Sequence, residues 1–406
     1  MLEALSLSEA IDVLKSKFKD FKIKSEITNI NESLGRYIYS DILSDQNIPS
    51  FSRSTVDGYA VISSDTFGAS ESYPCRLKLI GSIKMGAPPD ISLSKGETVY
   101  IPTGGELPKN SDSVVMIEYT ENYMDGYVYL NKPSSPGNNV LLIGEDCKQG
   151  EVVLKKGDKI NIKTIGILAG LGIDKIEVFD KITVGIISTG DEIVDITEDI
   201  NNSQIRDINS YVLFNELLKF GAIPKQFGIV KDNADDIKYI IDSKLSECDV
   251  ILLSGGSSKG LKDETINVLN RIQGAKILFH GLLIKPGKPT ISAKINDVPF
   301  FGLPGQPLAA YFVYKRLVEP FLKYLYNDDS NQITIKARLT TNYPSNNGRE
   351  EAVIVKLNSE NNEYIALPTF YKSGLISSLS KSDGFFIIPR ESEGVMKDSI
   401  VDVVLF

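Results

Sequence analysis

The fold class this sequence predicts is α/β plus β: a multidomain chain with a doubly wound α/β domain, a β-rich insertion domain, a split N-terminal linking domain and a C-terminal β-barrel-like domain. Three features predict it. From 181 to 326, short apolar runs alternate with stretches of helical period, as in a sheet covered on both faces. From 45 to 139, and again from 327 to 406, β-branched and aromatic pieces are broken by turn residues. The segments 1–44 and 140–180 flank the first β-rich stretch and are expected to fold together. With 406 residues, 42% of them hydrophobic and 24% charged, the chain can fill several cores.

The elements follow in order. Ser6 with Glu9 three residues on is a capping box, and Leu7, Ile11, Leu14 and Phe18 continue at helical spacing, which predicts a helix to about Lys19. Strands are expected over 76–85 and 97–102, with a hairpin of 114–119 and 127–130 around Asp125-Gly126. Asn161 can cap a helix through 171 that stops at Gly172 and is expected to pack beside the N-terminal one. Strands at 182–188, 226–230 and 250–253 then alternate with helices at 210–220, around Ile237 to Leu245, and beyond Asp263. A strand at 277–279, a hairpin of 290–295 and 298–302 and a long helix over 307–325 complete this part. Strands at 333–339, 352–357, 364–367, 385–388 and 399–405 make up the C-terminal domain.

Composition narrows the chemistry. A net charge of -9 disfavours nucleic acid as a partner, while leaving small anions open. No apolar run is long enough to span a membrane, and acids interrupt the N-terminal segment, unlike a signal peptide, so a cytoplasmic location is expected. Cys75, Cys147 and Cys248 form no CxxC pair, so no disulfide framework or cysteine zinc site is suggested, and His280 as the only histidine excludes a single-chain multi-histidine centre. His280 reads as a packed strand-end residue. Carboxylates, lysines, hydroxyls and backbone must carry the chemistry.

In open α/β sheets, ligands sit beyond the carboxyl ends of the strands. The residues there include Ser188-Thr189-Gly190-Asp191-Glu192, Asp232, Ser254-Gly255-Gly256-Ser257 with Asp263, Lys285 to Lys288, and Pro304-Gly305, with Asp207 and Asn209 nearby at a helix start. The glycine-serine loop suits an anion cradle or an ordinary strand-to-helix turn. Acids beside glycine loops and lysines suit a phosphorylated ligand bridged by Mg²⁺. Singly, each acid could equally be a solvated loop residue or a helix cap.

Eight segments in order then carry a resemblance: VDGYA at 56–60, PTGG at 102–105, GED at 144–146, STGDE at 188–192, Asp207-Ile208-Asn209, SGGSSKGLKD at 254–263, IKPGKP at 284–289 and GLPG at 302–305. Together they resemble the molybdopterin molybdenumtransferases, the MoeA and gephyrin E-domain family. The resemblance implies that adenylylated molybdopterin and molybdate, with Mg²⁺, give molybdenum cofactor and AMP. It also implies an elongated four-part subunit and a homodimer. The cleft would lie between the α/β domain of one chain and the β-rich domain of the other, and the adenylylating enzyme would be a further partner.

By motif position, Asp57, Asp146, Glu192, Asp232 and Asp263 are the implied catalytic residues, and Asp191, Glu192 and Asp263 the implied Mg²⁺ ligands. Thr103, Ser254, Gly255, Gly256, Ser257, Lys285, Pro304 and Gly305 match the ligand-lining loops, while Lys288, Arg349 and Ser373 match positions associated with molybdate. Two departures bear on the oxyanion. PGQPLA at 304–309 places Ala309 where a serine is usual, and Gly281 stands where some members have lysine. Lys259 is a candidate replacement for the missing charge. A scaffold without transferase activity, or a nucleotide-hydrolysing relative of the α/β domain, are the competing classes. The VDGYA and GED segments argue against the second, and the first would be expected to carry an additional adenylylating domain and long linker.

Overall fold

The computed structural model describes residues 4–255, 261–346, 348–369 and 377–406, with the backbone alone for 261–263. Gly256, Ser257, Lys259 and Ser373 lie outside the described residues, and so does the side chain of Asp263.

The capping box forms as predicted: the Glu9 carboxylate accepts the Ser6 N–H at 2.8 Å, and Ser6 Oγ accepts the Glu9 N–H at 3.3 Å. The helix Leu7–Lys17 follows. Its partner differs from the expectation. Ala10, Leu14 and Phe18 join the core of the α/β region, with the Phe18 and Phe321 ring centroids 5.5 Å apart. The helix Ile162–Gly170 instead buries Leu168 in a separate core with Ile38, Leu154 and Val178. A helical stripe shows that a face is buried but not what covers it. The flanking segments do meet, through antiparallel pairing of Ser25–Asn29 with Lys175–Phe179.

The β-rich region is a six-stranded sheet in the order Ser113–Met116, Gly58–Val61, Glu97–Ile101, Cys75–Ser82, Tyr127–Leu130 and Thr120–Glu121. The expected hairpin is corrected. A 3₁₀ turn at Ile117–Tyr119 redirects the chain, so Ser113–Met116 pairs with Gly58–Val61, and Thr120–Glu121 takes the place beside Tyr127–Leu130. Gly58 is fixed by close approach, since a Cβ there would sit 2.0 Å from the Val115 carbonyl oxygen. Gly58→Ala is expected to destabilise the protein by about 2–3 kcal/mol through overpacking, measured by denaturant unfolding.

Residues 183–303 carry the central sheet, ordered Ile223–Val230, Thr183–Thr189, Val250–Gly255, Val298–Leu303, Ile291–Ile295 and Ala275–His280. The first four strands are parallel, and the hairpin strand Ile291–Ile295 runs against its neighbours. Alternate residues feed two cores. Val250 and Leu252 face the helix Asn209–Phe220 and the closing helix, while Ile251 and Leu253 face Ile237, Ile241 and Leu269. The long closing helix is continuous but holds a π segment, Tyr314–Val318, between Pro307–Val313 and Glu319–Leu325. Pro320 supplies no N–H and would crowd the carbonyl one turn back, so the widened segment just before it has a cause.

The C-terminal strands close into a five-stranded barrel when Glu350–Glu360 pairs with Gly384–Ile388 as well as with Glu363–Pro368. Leu308, Tyr311 and Phe312 of the closing helix pack on Ala352, Ile354 and Phe385 of the barrel. The short strand Ile284–Lys285 adds to the barrel beside Glu350 and Glu351. That pairing carries the KPGKP loop to the barrel. Among the described residues, no helix is long and apolar enough to cross a membrane.

Candidate active site

Register fixes the geometry at the carboxyl edge. Thr189 is opposite Val230 on one side and Gly255 on the other, and Ser254 is opposite Leu303. Neighbouring strands lie about 4.8 Å apart, so the segments after these four strands open onto one crevice. The start of the helix Asn209–Phe220 is bound into it. Ser188 Oγ donates to Asp207 Oδ2 at 2.6 Å, and Asp207 Oδ1 accepts the Ser210 N–H at 3.1 Å. Asn209 Nδ2 reaches Ser254 Oγ at 2.7 Å and the Gly305 carbonyl at 2.9 Å, tying the Ser254 strand end to the PG loop.

Asp191, Glu192 and Asp232 meet beside this lattice. The Asp232 N–H donates to Asp191 Oδ1 at 3.3 Å. Burial pushes the Asp232 carboxyl up to about 6, and the nearby charges of Glu192 and Asp191 add to the shift. Thr189 counteracts it only in part, since its hydroxyl does not reach hydrogen-bond geometry. Among the described residues, three buried oxygens at this edge have no hydrogen-bond partner: Thr189 Oγ1, Asn209 Oδ1 and Asp232 Oδ1. Such groups cost roughly 1–3 kcal/mol each when left unpaired.

Lys285 belongs to a second group. Its ammonium lies 2.8 Å from Glu351 Oε1, and the Glu351 side chain is only 4% exposed. Ser345 Oγ donates to the other oxygen at 2.5 Å. One residue earlier, Glu350 pairs with Arg316, whose buried guanidinium is pulled down to about 10. Arg349 is half-buried next to this pair, and Lys288 is exposed. Motif reading of this segment singled out Arg349 and missed Glu351. Its signal was an acid on a strand that otherwise reads as apolar, AVIV. Lys285→Ala leaves Glu351 buried without its counter-charge and is expected to cost about 1–2 kcal/mol after discounting for the exposed lysine, with Glu351→Gln in the same chain restoring most of it in thermal unfolding.

The β-rich sheet supplies the third group. Asp57 accepts the Thr103 N–H at 2.7 Å and its hydroxyl at 3.0 Å, and those bonds, backbone first, lower its pKa. The VDGYA and PTGG segments therefore form one turn cluster, held further by Gly104 N–H to the Ser54 carbonyl at 2.8 Å. Asp146 is exposed on the turn that follows Gly144. His280 ends its strand opposite Ile291.

The two departures are set in the backbone. Gly281 has φ +98°, its carbonyl accepts the Leu5 N–H at 3.1 Å, and a Cβ would lie 3.2 Å from that of Ala4. A lysine there would be strained. Ala309 is 3% exposed in the first turn of the closing helix.

A parallel sheet whose strand ends gather acids and unpaired oxygens, with a barrel and a separate β-rich sheet attached, defines a ligand-binding multidomain α/β protein. The sequence matches the MoeA N-terminal region (domain I and II) over residues 5–172, the probable molybdopterin binding domain over 185–324 and the MoeA C-terminal region (domain IV) over 336–406. A Methanocaldococcus jannaschii protein named for molybdopterin biosynthesis is 38% identical over 398 residues, 96% of this chain and 94% of that one. The molybdopterin molybdenumtransferase of Bacillus subtilis is 30% identical over 387 residues, 94% and 90% of the two chains. The crystal structure of the molybdopterin biosynthesis MoeA protein from Pyrococcus horikoshii OT3 superposes with a TM-score of 0.84 at 30% identity, covering 100% of both chains. The chain belongs to the MoeA family.

Proposed function

We infer that this chain works in molybdenum cofactor biosynthesis as a molybdopterin molybdenumtransferase, transferring molybdate into adenylylated molybdopterin and releasing AMP. The observation that carries the reading is the carboxyl-edge cluster: Asp232, raised to about 6 beside Asp191 and Glu192, with unpaired oxygens on Thr189 and Asn209. A ligand bearing phosphate and a hard cation satisfies such a set.

Mg²⁺ fits these residues. Among the described residues, no three acids converge closely enough to hold a metal ion alone, but Mg²⁺ keeps waters and substrate phosphate and needs only one or two carboxylates. Asp232 with Asp191 or Glu192 would hold it, and Asp263, at the start of the helix Leu261–Arg271, is a further candidate. When bound, Mg²⁺ supplies charge neutralisation at the phosphate oxygens. The protein's own groups do the rest. Asn209 holds the Ser254 and Gly305 loops at fixed separation, Lys285 presents an ammonium steadied by Glu351, and Asp57 keeps the Thr103 turn closed. The Asp146 N–H donates to the Ile48 carbonyl at 3.0 Å, which ties it to the 45–139 region that carries Asp57.

Arg349, with Lys288 and Ser373, takes the molybdate. The working unit is a homodimer in the cytoplasm whose cleft joins the 181–326 domain of one chain to the 45–139 domain of the other. The 1–44 with 140–180 segments link the two, 327–406 closes the oxyanion side, and the adenylylating enzyme delivers the substrate. AMP release from adenylylated molybdopterin is the test: it should require both molybdate and Mg²⁺, and release independent of molybdate rejects the reading. Arg349→Ala should raise the half-saturating molybdate concentration roughly tenfold or more while changing that for adenylylated molybdopterin little, because a guanidinium offers several fixed donors to tetrahedral oxygens. Equal effects on both substrates would assign Arg349 elsewhere.

A further inference from the structure

A second cavity, of about 230 Å³, lies at the other end of the helix Asn209–Phe220. Asn209 is fixed at the carboxyl edge, whereas Phe220, roughly 17 Å along the helix, lines this cavity at the amino edge of the sheet. It belongs to no part of the crevice described above.

The walls hold partly matched charge. Lys315, 11% exposed, is paired with Glu216 at 3.4 Å and also with Glu319, so its charge is compensated. Lys159 is not. Its ammonium donates to the Phe220 carbonyl at 2.7 Å and lies 5.3 Å from the Tyr37 ring centroid, with no carboxylate at ion-pair distance among the described residues. Burial lowers its pKa against the attraction of Asp328 and Glu319. Tyr37 is 3% exposed and lines the same cavity with a hydroxyl that has no hydrogen-bond partner among the described residues. Burial keeps that hydroxyl protonated, and Asp328 reinforces the effect without reaching hydrogen-bond geometry. Lys323 meets Asp328 only at 3.9 Å and Ser330 Oγ at 3.3 Å, so its ammonium is loosely held.

Donors on Tyr37, Lys159 and Lys323, with the exposed Lys219 also in the lining, thus share a cavity in which Lys315 takes Glu216 and Glu319. We propose that this cavity is a binding site for a compact oxyanion of phosphate size, held by Tyr37, Lys159 and Lys323. Size restricts the class. The volume is below the roughly 300–1,000 Å³ of sites for drug-sized ligands, which favours a compact ligand over a nucleotide or a pterin. A half-buried ammonium and a buried phenol both gain from an anionic acceptor, because charge-assisted hydrogen bonds are stronger than neutral ones. Asp328 opposes the anion, and Lys323, 3.9 Å from it, offsets part of that repulsion.

Inorganic phosphate is the probe, added to the whole protein at constant ionic strength with chloride as the control, and thermal unfolding and titration calorimetry are the readouts. Tyr37→Phe keeps the stacking on Tyr326, at 4.4 Å between centroids, and removes only the hydroxyl. Phosphate is expected to stabilise the wild-type protein beyond the chloride control. Tyr37→Phe should need about tenfold more phosphate for the same shift, a factor equal to loss of one hydrogen bond of about 1.4 kcal/mol. Lys159→Met should lose the response and Lys159→Arg should keep it. Without phosphate, Tyr37→Phe should unfold no earlier than wild type, since the lost hydroxyl had no partner, and earlier unfolding would mark a structural role. Absence of a phosphate-specific response overturns the proposal, as does an equal response in Tyr37→Phe and Lys159→Met. A response lost in Arg349→Ala but kept in Tyr37→Phe would put the anion at the barrel side and overturn it as well.

Discussion

Asp232→Asn is expected to lower molybdate-dependent AMP release by roughly 100-fold or more while making the Mg²⁺-free protein more stable. The two effects have one cause. Burial and the charges of Glu192 and Asp191 raise the Asp232 pKa from 3.8 to about 6, so the folded protein binds a proton more readily than the unfolded chain does. Between about pH 4 and pH 6 the folded state therefore holds more protons, and its stability falls as pH rises through that window. Above it the carboxylate is charged and the full penalty applies. The neutral amide removes that penalty, for a gain of about 1 kcal/mol once the site's partial solvent access is discounted. Mg²⁺ should relieve the same repulsion in the wild-type protein and shift its unfolding upward at pH 7.5, but not in Asp232→Asn. Thermal unfolding with and without Mg²⁺ at pH 5 and pH 7.5 checks the signs. A variant that is less stable at pH 7.5, or that keeps near-wild-type turnover, would remove Asp232 from the site.

Much of this edge was legible because parallel strands make position a matter of counting. Runs such as Val250 to Leu253 mark buried strands, and the residue after each run must appear at the carboxyl end. That is why Asp191, Glu192, Asp232, Ser254 and Gly305 converge although they are scattered over more than a hundred residues. The link made by Asn209 is less legible, since its bonds to Ser254 and Gly305 depend on the angle at which its helix leaves the sheet. Glu351 was hidden for a different reason. Its partner Lys285 reaches it only because Ile284–Lys285 adds to the barrel, and pairing between distant segments has no periodic signature. The same limit explains the N-terminal helix. Ala10, Leu14 and Phe18 specify an apolar stripe, and both the linking segments and the α/β region could have offered the surface that covers it.

Mixing two inactive variants tests the shared cleft. Asp57 sits with Thr103 in the β-rich region, whose core is separate from that of the central sheet, while Asp263 lies in the first turn of the helix Leu261–Arg271, which follows the strand Val250–Gly255 in sequence. If the cleft joins these regions across a two-fold axis, each site takes Asp57 from one chain and Asp263 from its partner. Asp57→Ala and Asp263→Ala proteins should each be inactive alone. Mixed equally and allowed to exchange, about half of the dimers combine the two, and in each of those one cleft is intact while the other carries both substitutions. Molybdate-dependent AMP release should then return to roughly a quarter of wild type. Clefts built within one chain give another result, because every site would carry one substitution at any mixing ratio. With exchange verified by native mass spectrometry, continued inactivity would reject the shared cleft and assign Asp57 and Asp263 to a site within a single subunit.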